Sequence, residues 1–453
     1  MEGIKQTVRD WYGDFPSQWD TIKFRLGFSF SKGLNITKED LVDEGIPVIS
    51  YGQVHAKDNP GTGIIDSLLR YVPDTYLAKN KSCLVHDGDF IFADTSEDYA
   101  GVGNVAFVDR ETTLFAGYHS IVARPILATM YPKYYAYLFL TDCWRDQVRA
   151  NVMGVKVFSV TNKLLRDTFI LVPPIEEQKR IVAYLDDECS KMDEIIVTIR
   201  QQIDILKEYK KSLVTNAVTK GIDDSADVQD SGTWIGSIPV GWEMSKIKYL
   251  VDGSQAYPIG DGDHGMIKAD DYLTEGIPYI RVLNLTWGNG LSMEDIVYID
   301  ESMNSKIKNS ELHPNDILIA KTGATIGKTA IVPDWMPRSN TTSHVGKITL
   351  PKTHCPKFFY HQMNSDVIQL QIADLSAMQS TRPELGIEGL KNLVVVVPPI
   401  EVQESIANYL DSCCEAIDAV IESKQTQLDV MTDRKASLIF EYVTGKRRVK
   451  EVV

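Results

Sequence analysis

The chain lacks the general positive charge by which many nucleic-acid binders announce themselves. Lysine and arginine number 47 against 62 aspartates and glutamates, for a formal net charge of −15. The deficit has no basic exception: residues 223–398 alone carry −8, and none of 1–173, 174–222 or 399–453 is net positive. Strong non-specific binding to a phosphate backbone is thereby excluded, and any DNA binding needs local clusters or a partner's basic surface. Cysteine is sparse. Cys83, Cys143, Cys189, Cys355, Cys413 and Cys414 form no C-x-x-C pair and no metal-ligand spacing, which predicts reduced thiols in a cytoplasmic protein. Long apolar runs are missing too. The longest aliphatic stretch, Leu393 to Val397, is too short to cross a bilayer, and the charged start from Met1 to Trp11 offers no apolar signal region, so no membrane role is expected. No nucleophile motif, paired catalytic carboxylates or dinucleotide fingerprint occurs. An Asn-Pro-Pro-Tyr type motif for amino-methylation is absent, as is a helix-opening glycine loop for S-adenosylmethionine. The residues assign no chemistry, metal or cofactor to this chain.

What is present is repetition. At 453 residues, 43% apolar and 24% charged, the chain has room for two to four ordinary globular domains. Val172-Pro173-Pro174-Ile175-Glu176-Glu177-Gln178 returns as Val397-Pro398-Pro399-Ile400-Glu401-Val402-Gln403, an offset of 225. The offset holds without a gap through Tyr184-Leu185-Asp186 and Tyr409-Leu410-Asp411 to Val218-Thr219 and Val443-Thr444. Upstream the match is looser: Trp19 answers Trp242, Gly45-Ile46-Pro47 answers Gly276-Ile277-Pro278, Asp89 answers Asp316, and His119 answers His344. A shared framework with differing segments between its landmarks means two copies of one domain with different surface loops.

Each copy closes on a long helix. Leu185, Cys189, Met192, Ile196, Ile199, Ile203, Leu206, Lys210, Leu213 and Ala217 alternate spacings of 4 and 3, and adding 225 to each yields a second such seam. Proline pairs open the helices at 173–174 and 398–399, acidic residues occupy their first turns, and Gly221 and Gly445 stand where they should stop. From Ile175 to Lys220 is 46 residues, roughly 70 Å of helix. The first helix delivers the chain to the second domain through the polar segment Asp223 to Ser231, so the second can lie beside it only by running back. The expected fold class is α+β: two copies of a globular domain, each followed by a long helix, the helices forming an antiparallel coiled coil with pseudo-twofold symmetry. Within the domains, short strands broken by glycine, proline and asparagine are predicted at 47–50, 90–92, 105–108 and 120–123. In the second copy they fall at 278–282, 317–319, 330–332 and 347–350, with helices near 133–149 and 358–373.

Some motifs are misleading. Gly323-Ala324-Thr325-Ile326-Gly327-Lys328-Thr329 has three residues, not four, between its first glycine and Gly-Lys, and Ala330-Ile331-Val332-Pro333 reads as a strand rather than a helix, so it is no P-loop. Two readings stay open: a glycine-rich hairpin offering Lys328, Thr322 and backbone amides to a nucleic-acid phosphate, or a tight turn with a solvated lysine. Gly260 to Gly265 lacks the ligands and closing glutamate of a calcium loop. The E-x-K triplets at 208–210 and 422–424 fall on the long helices without a carboxylate partner.

The order variable domain, Val-Pro-Pro-Ile-Glu-x-Gln, long helix, given twice, resembles the specificity (S) subunit of Type I restriction-modification enzymes. Asp230-Ser231-Gly232-Thr233-Trp234-Ile235-Gly236-Ser237-Ile238-Pro239-Val240-Gly241-Trp242 is similar to that family's opening of a second target-recognition domain, and Asp316 to Lys328 to its most recurrent internal motif. The resemblance implies a target-recognition domain at 1–173, a central spacer helix at 174–222, a second domain at 223–398, a distal spacer helix at 399–447 and a tail at 448–453. It implies a non-catalytic, sequence-specific DNA-binding subunit whose domains each read one half of a bipartite, asymmetric site. The helices would set the spacer and dock two methyltransferase (M) subunits. S-adenosylmethionine and ATP with Mg would then belong to those M subunits and to motor-nuclease (R) subunits, with double-stranded DNA as the ligand. The alternatives are a coiled-coil adaptor that binds only proteins, an S-like subunit of a modification-only defence system, and, furthest from the residues, a self-contained enzyme.

Candidate DNA contacts are polar or aromatic residues in breaker-rich segments beside predicted strand ends, the types that reach base edges and phosphates. In the first domain they are Ser31, Lys32, Asn35, Tyr51, Gln53, His55, Thr95, Ser96, Tyr118 and His119. In the second they are Lys321, Thr322, Thr325 and Lys328 on the glycine-rich turn, and Ser254, Gln255, Tyr257 and His264 on an inserted loop. Arg281, Asn284, Ser343, His344, Ser380 and Arg382 complete them.

Overall fold

A computed structural model describes residues 2–154, 156–223, 225–262, 264–288, 290–377 and 383–449. The chain folds as two compact units. One comprises Met1–Ile199 with Gln427–Val453, the other Arg200–Thr426. Each unit therefore holds one globular domain, the first part of the helix that follows it, and the last part of the other long helix.

In the first unit, alternation along Phe90–Ala93 places Phe90 and Phe92 on one face and Ile91 and Ala93 on the other, and all four are buried. This strand is central to an antiparallel sheet in the order Phe28–Lys32, Ser120–Pro125, Phe90–Ala93, Val105–Phe107. The Phe90 and Phe92 face packs on Phe24, Phe28, Phe139 and Trp144, with ring centroids 4.4–6.1 Å apart. Its other face meets a second sheet, in which Ile46–Ile49 pairs antiparallel with Arg70–Val72 and parallel with Leu114–Ala116. The predicted helical stretch resolves into Pro132–Leu140 and Asp142–Arg149. A helix at Glu2–Tyr12, unanticipated from the sequence, buries Val8 and Tyr12, and the Tyr12 hydroxyl donates to the Phe169 carbonyl at 2.7 Å.

The second unit repeats the plan. Its main sheet runs Ile259–Asp261, Val345–Ile348, Ile317–Ala320, Thr329–Ile331, and Ile277–Ile280 pairs antiparallel with Val297–Ile299 and parallel with Asn340–Thr341. In both units a strand leading into the domain pairs with the strand leaving it: Asp20–Lys23 with Phe169–Val172, and Glu243–Lys246 with Val394–Val397. The strand expected at 347–350 lies two residues earlier.

The repeated Val-Pro-Pro-Ile-Glu-x-Gln has a structural reason. Gln178 is fully buried; its amide donates to the Pro173 carbonyl at 2.7 Å and the Thr129 carbonyl at 2.9 Å, while its Oε1 accepts from the Tyr131 amide at 2.8 Å. Gln403 does the same with the Pro398 carbonyl, 2.7 Å, and the Cys355 amide, 2.9 Å. A carbonyl left bare by two prolines is satisfied by a side chain one helical turn on, and the same side-chain amide grips the start of an earlier helix of the domain.

The long helices span Ile175–Lys220 and Ile400–Val443. In the first unit Tyr184 packs on Tyr442, the rings tilted by 38° with 4.5 Å between centroids, and Lys435 pairs with Asp193; in the second Lys210 pairs with Asp418. Within each unit the helix segments are antiparallel, as expected. Seam residues Leu185, Cys189, Met192, Ile196, Ile199 and Ile203 are buried, whereas Ile417, Ile421, Leu428 and Met431 are half-buried. Gly445 sits at φ +72°, where a Cβ would stand 2.3 Å from Pro16, and Gly221, at φ +87°, abuts Trp242.

Candidate nucleic-acid interface

Each domain presents a loop cluster at the same place, the end of the central strand of its main sheet. In the first domain the chain leaves Phe90–Ala93 through Asp94, whose carboxylate accepts from the Thr95 hydroxyl at 2.8 Å and pairs with His119 Nδ1 at 3.0 Å. His119 is exposed and holds φ +52°, an uncommon backbone state for a residue with a Cβ. Tyr51 touches the rings of His55, Tyr118 and His119 at 6.3, 5.5 and 5.5 Å. His55 is fixed from both nitrogens, by the Thr95 carbonyl at 2.8 Å and the Asn104 amide at 3.0 Å. Five candidates, Tyr51, His55, Thr95, Tyr118 and His119, thus form one cluster. Ser31, Lys32 and Asn35 are exposed beside it, Lys32 opposite Ile121 on the neighbouring strand. Gln53 and Ser96 face inward: Gln53 accepts from the Ser50 amide, and buried Ser96 donates to the Asp98 carbonyl.

In the second domain the equivalent strand end is Lys321, which corrects the reading of this residue as a DNA contact. It is 2% exposed, and its ammonium is paired with the buried carboxylate of Asp261. A lysine that deep is held by its partner and is unavailable to solvent. Asn284 needs the same correction. It is wholly buried; its amide donates to the Ser292 and Glu294 carbonyls and its Oδ1 accepts from the Arg281 amide. Around the Asp261–Lys321 pair stand His264, 3.2 Å from the other Asp261 oxygen and at φ +47°, and His344, whose Nδ1 lies 3.0 Å from the Thr322 hydroxyl. Arg281 reaches the Asp295 carbonyl and lies over the Tyr272 ring at 5.6 Å. Ser343 is half-buried beside His344. Ser254, Gln255 and Tyr257 are exposed in the turn before Ile259–Asp261 and share no contact with the other candidates among the described residues. Ser380 and Arg382 lie outside the described residues.

The glycine-rich turn is a single tight turn at Gly323–Thr325 followed by the strand Thr329–Ile331, as the rejection of a P-loop requires. Thr325 and Lys328 are half-buried on it. Lys328 and Asn104 are backbone equivalents, since their carbonyls accept from the Ala320 and Ala93 amides respectively. Beneath both clusters the framework is constant. Asp89 and Asp316 each accept from the amide three residues before, at 2.9 Å, and each is buried against a cation, Arg124 or Lys347. Burial pushes the Lys347 ammonium below its ordinary range. Sequence reasoning missed Asp94, Asn104 and Asp261, because an acidic or amide side chain in a loop carries no sign of which neighbour it will hold.

The clusters offer hydroxyls, amides, ring nitrogens and aromatic edges on short loops, the groups that read base edges. Among the described residues no set of histidine, cysteine and carboxylate side chains is placed to hold a metal, and no helix is long and apolar enough to cross a membrane. A family model described as Type I restriction modification DNA specificity domain matches residues 17–204 and again 239–429. The chain belongs to this Type I specificity family. Each match covers one domain and the opening stretch of its helix. Relatives include the Type I restriction enzyme MjaVIII specificity subunit of Methanocaldococcus jannaschii, 26% identical over 70% of this chain and 71% of the relative. The EcoBI specificity subunit of Escherichia coli is 24% identical over 66% of this chain and 62% of its own length. Among solved structures, a chain from a study of complex assembly and conformational transition of the type I R-M system superposes with a TM-score of 0.67 at 17% identity, covering 96% of this chain and all of that one. That superposition supports the two-domain, two-helix fold of the Type I specificity family.

Proposed function

We propose that the chain is the DNA-reading, non-catalytic subunit of a Type I restriction-modification complex, each domain reading one half of a bipartite asymmetric site. The observation that carries this reading is the contrast between constant framework and divergent display. Positions that hold each domain together repeat in kind: Asp89 with Asp316, Gln178 with Gln403, Trp19 with Trp242. Positions at the strand ends do not: half-buried Tyr118 answers half-buried Ser343, and half-buried Asp94 and exposed Lys32 of the first domain are answered in the second by the buried ion pair of Lys321 and Asp261. One scaffold carrying two different donor and acceptor sets reads two different sequences. The long helices set the unread spacer and dock two methyltransferase subunits, which carry S-adenosylmethionine; motor-nuclease subunits with ATP and Mg join for restriction. Partner surfaces also supply the phosphate neutralisation that a chain of net charge −15 lacks.

The test is a hybrid. Residues 1–173 are replaced by the equivalent segment of another specificity subunit, and methylated sites are mapped across a genome. One half-site should change and the other stay. A change in both halves, or in neither, overturns the modular reading.

A further inference from the structure

The chain is acidic overall, yet each domain carries a small basic surface at an equivalent place, next to its loop cluster. In the first domain the segment Phe158–Ser159 pairs with Thr95–Ser96, and the Val160 amide donates to the Asp94 carbonyl. From there the chain turns directly into the short helix Asn162–Asp167. Lys163 and Arg166 are exposed on that helix, and Arg25 shares a depression with them. Arg166 lies over the ring of Phe30, 5.8 Å from its centroid, on the strand that continues to Ser31 and Lys32. The one carboxylate in the depression, Asp167, is taken by Arg25 at 2.7 Å and Lys23 at 3.6 Å. Lys163 and Arg166 form no ion pair among the described residues.

The second domain builds the same surface from different residues. The Leu385 amide donates to the Lys321 carbonyl, and the helix Ile387–Asn392 follows, packed on the strand that carries Asp261. Lys391 occupies the place of Arg166, and Lys246 and Lys248 those of Lys23 and Arg25. Lys248 donates to the Asn392 amide oxygen at 3.1 Å, where the first domain has the Asp167 carboxylate, and Lys391 pairs with Glu388 at 2.7 Å. Positive charge is thus retained at the places of Lys23, Arg25 and Arg166, while Glu388 stands where the first domain has Lys163, so the second surface is carried mainly by Lys246 and Lys248. Like charges crowded on an exposed surface repel one another, and an anionic ligand would relieve the repulsion that Asp167 and Glu388 only partly offset.

We propose that these two surfaces bind the phosphodiester backbone of the duplex beside each reading cluster, sequence-independently, and set the register in which the loops meet the bases. The proposal rests on the DNA-reading function and adds to it which residues position rather than specify. The short helix starts at the cluster and leads away from it. A duplex whose base edges meet Tyr51, His55 and His119 therefore brings its backbone past Lys163 and Arg166. Neither surface includes Lys328 or any residue of the clusters.

Two double variants test it in the full chain assembled with its methyltransferase subunits: Lys163→Gln with Arg166→Gln, and Lys246→Gln with Lys248→Gln. Binding is measured against salt concentration on a duplex carrying the mapped methylation site and on a scrambled duplex of equal length. Each double variant should lose affinity on both duplexes alike, on the order of tenfold or more, and its log–log salt slope should flatten by about two units. The methylated sequence should not change. Lys163→Arg with Arg166→Lys, which keeps the charge, should restore the slope. Wild-type affinity and slope in both glutamine variants would overturn the proposal. So would a loss confined to the cognate duplex, or a loss of methyltransferase association with DNA affinity intact. An unmutated complex that binds neither duplex would instead remove the DNA-reading function itself.

Discussion

Lys210 donates to both carboxylate oxygens of Asp418 at 2.7 Å, and Lys435 does the same with Asp193 at 2.6 and 2.7 Å. Adding 225 to Lys210 gives Lys435, and adding 225 to Asp193 gives Asp418. Each helix supplies the lysine once and the aspartate once, the reciprocity of a self-complementary contact. A parallel, in-register pair would separate each lysine from its aspartate by seventeen residues of helix, about 25 Å. The duplication of one pair of side chains therefore encodes helix direction.

Reversing Lys210 alone, Lys210→Asp, should destabilise the chain by about 1 kcal/mol, since it sets two carboxylates face to face at a partly exposed site. Lys210→Asp combined with Asp418→Lys should recover most of that. Urea unfolding of the two single variants and the double variant gives the coupling directly.

Gln178→Leu and Gln403→Leu should each be far costlier than a surface change, about 3 kcal/mol. Each leaves a buried proline carbonyl and a buried backbone amide unpaired without removing either. The midpoint of denaturant unfolding reports this, and a loss below about 1 kcal/mol would mean water replaces the side chain.

Lys321 and Lys328 should separate cleanly. Lys321→Ala strands the buried Asp261 carboxylate and should cost about 3 kcal/mol of stability. Lys328→Ala should leave stability nearly unchanged. In the assembled complex it should weaken binding to all duplex sequences alike, flattening the salt slope by about one unit.

The carboxyl of Asp411 is held down at about 2 by the His361 ring at 2.8 Å and the Lys357 ammonium at 2.6 Å, against the opposing effect of burial. Its folded value lies below its ordinary one, so its contribution to stability is present above about pH 4 and is lost as pH falls toward 2. Unfolding of the chain and of Asp411→Asn, compared from pH 6 downward, should show a gap that narrows through that window. A gap independent of pH would assign the residue a purely steric role.

If the helices set the spacer, fourteen residues inserted between 199 and 200 and again between 426 and 427 add about 21 Å to each. The unread gap in the methylated site should then lengthen by about six base pairs, both half-sites unchanged. Methylome sequencing reads the outcome, and an unaltered gap would sink the ruler.

The long helices were legible almost to the residue because their signal is redundant: a seam of regular spacing, a proline pair before it, a glycine after it, and a second copy in register. The sheets were legible as strands but not as topology, since the parallel pairing of Ile46–Ile49 with Leu114–Ala116 joins segments far apart in the chain. The loop clusters were only half legible. Tyr51, His119 and His344 stand out in the sequence as aromatic and histidine side chains beside strand ends, and the structure places them in the loop clusters. Lys321 and Asn284 were misjudged for a physical reason. A polar residue in a breaker-rich segment satisfies its hydrogen bonds either with solvent or with buried framework, and depth below the surface leaves no mark in the local sequence. The partner that buries Lys321 is Asp261, sixty residues away. The helix Glu2–Tyr12 escaped notice because its few apolar residues meet partners only across the domain, such as Phe169.

The hydroxyl of Tyr134 donates to the carbonyl of Val443, 309 residues later, and Ile439, Tyr442 and Val443 complete the core that Phe24 and Trp144 begin. A ribosome makes the first domain early but cannot supply this closing helix until the second domain has been made. For most of synthesis the first domain stands with an apolar wall uncovered, while the second already has Val214, Ala217 and Val218 waiting to receive it. The domain translated first is the last to be sealed. Chaperone demand and the damage done by a late frameshift should accordingly fall on the half of the protein furthest from the lesion.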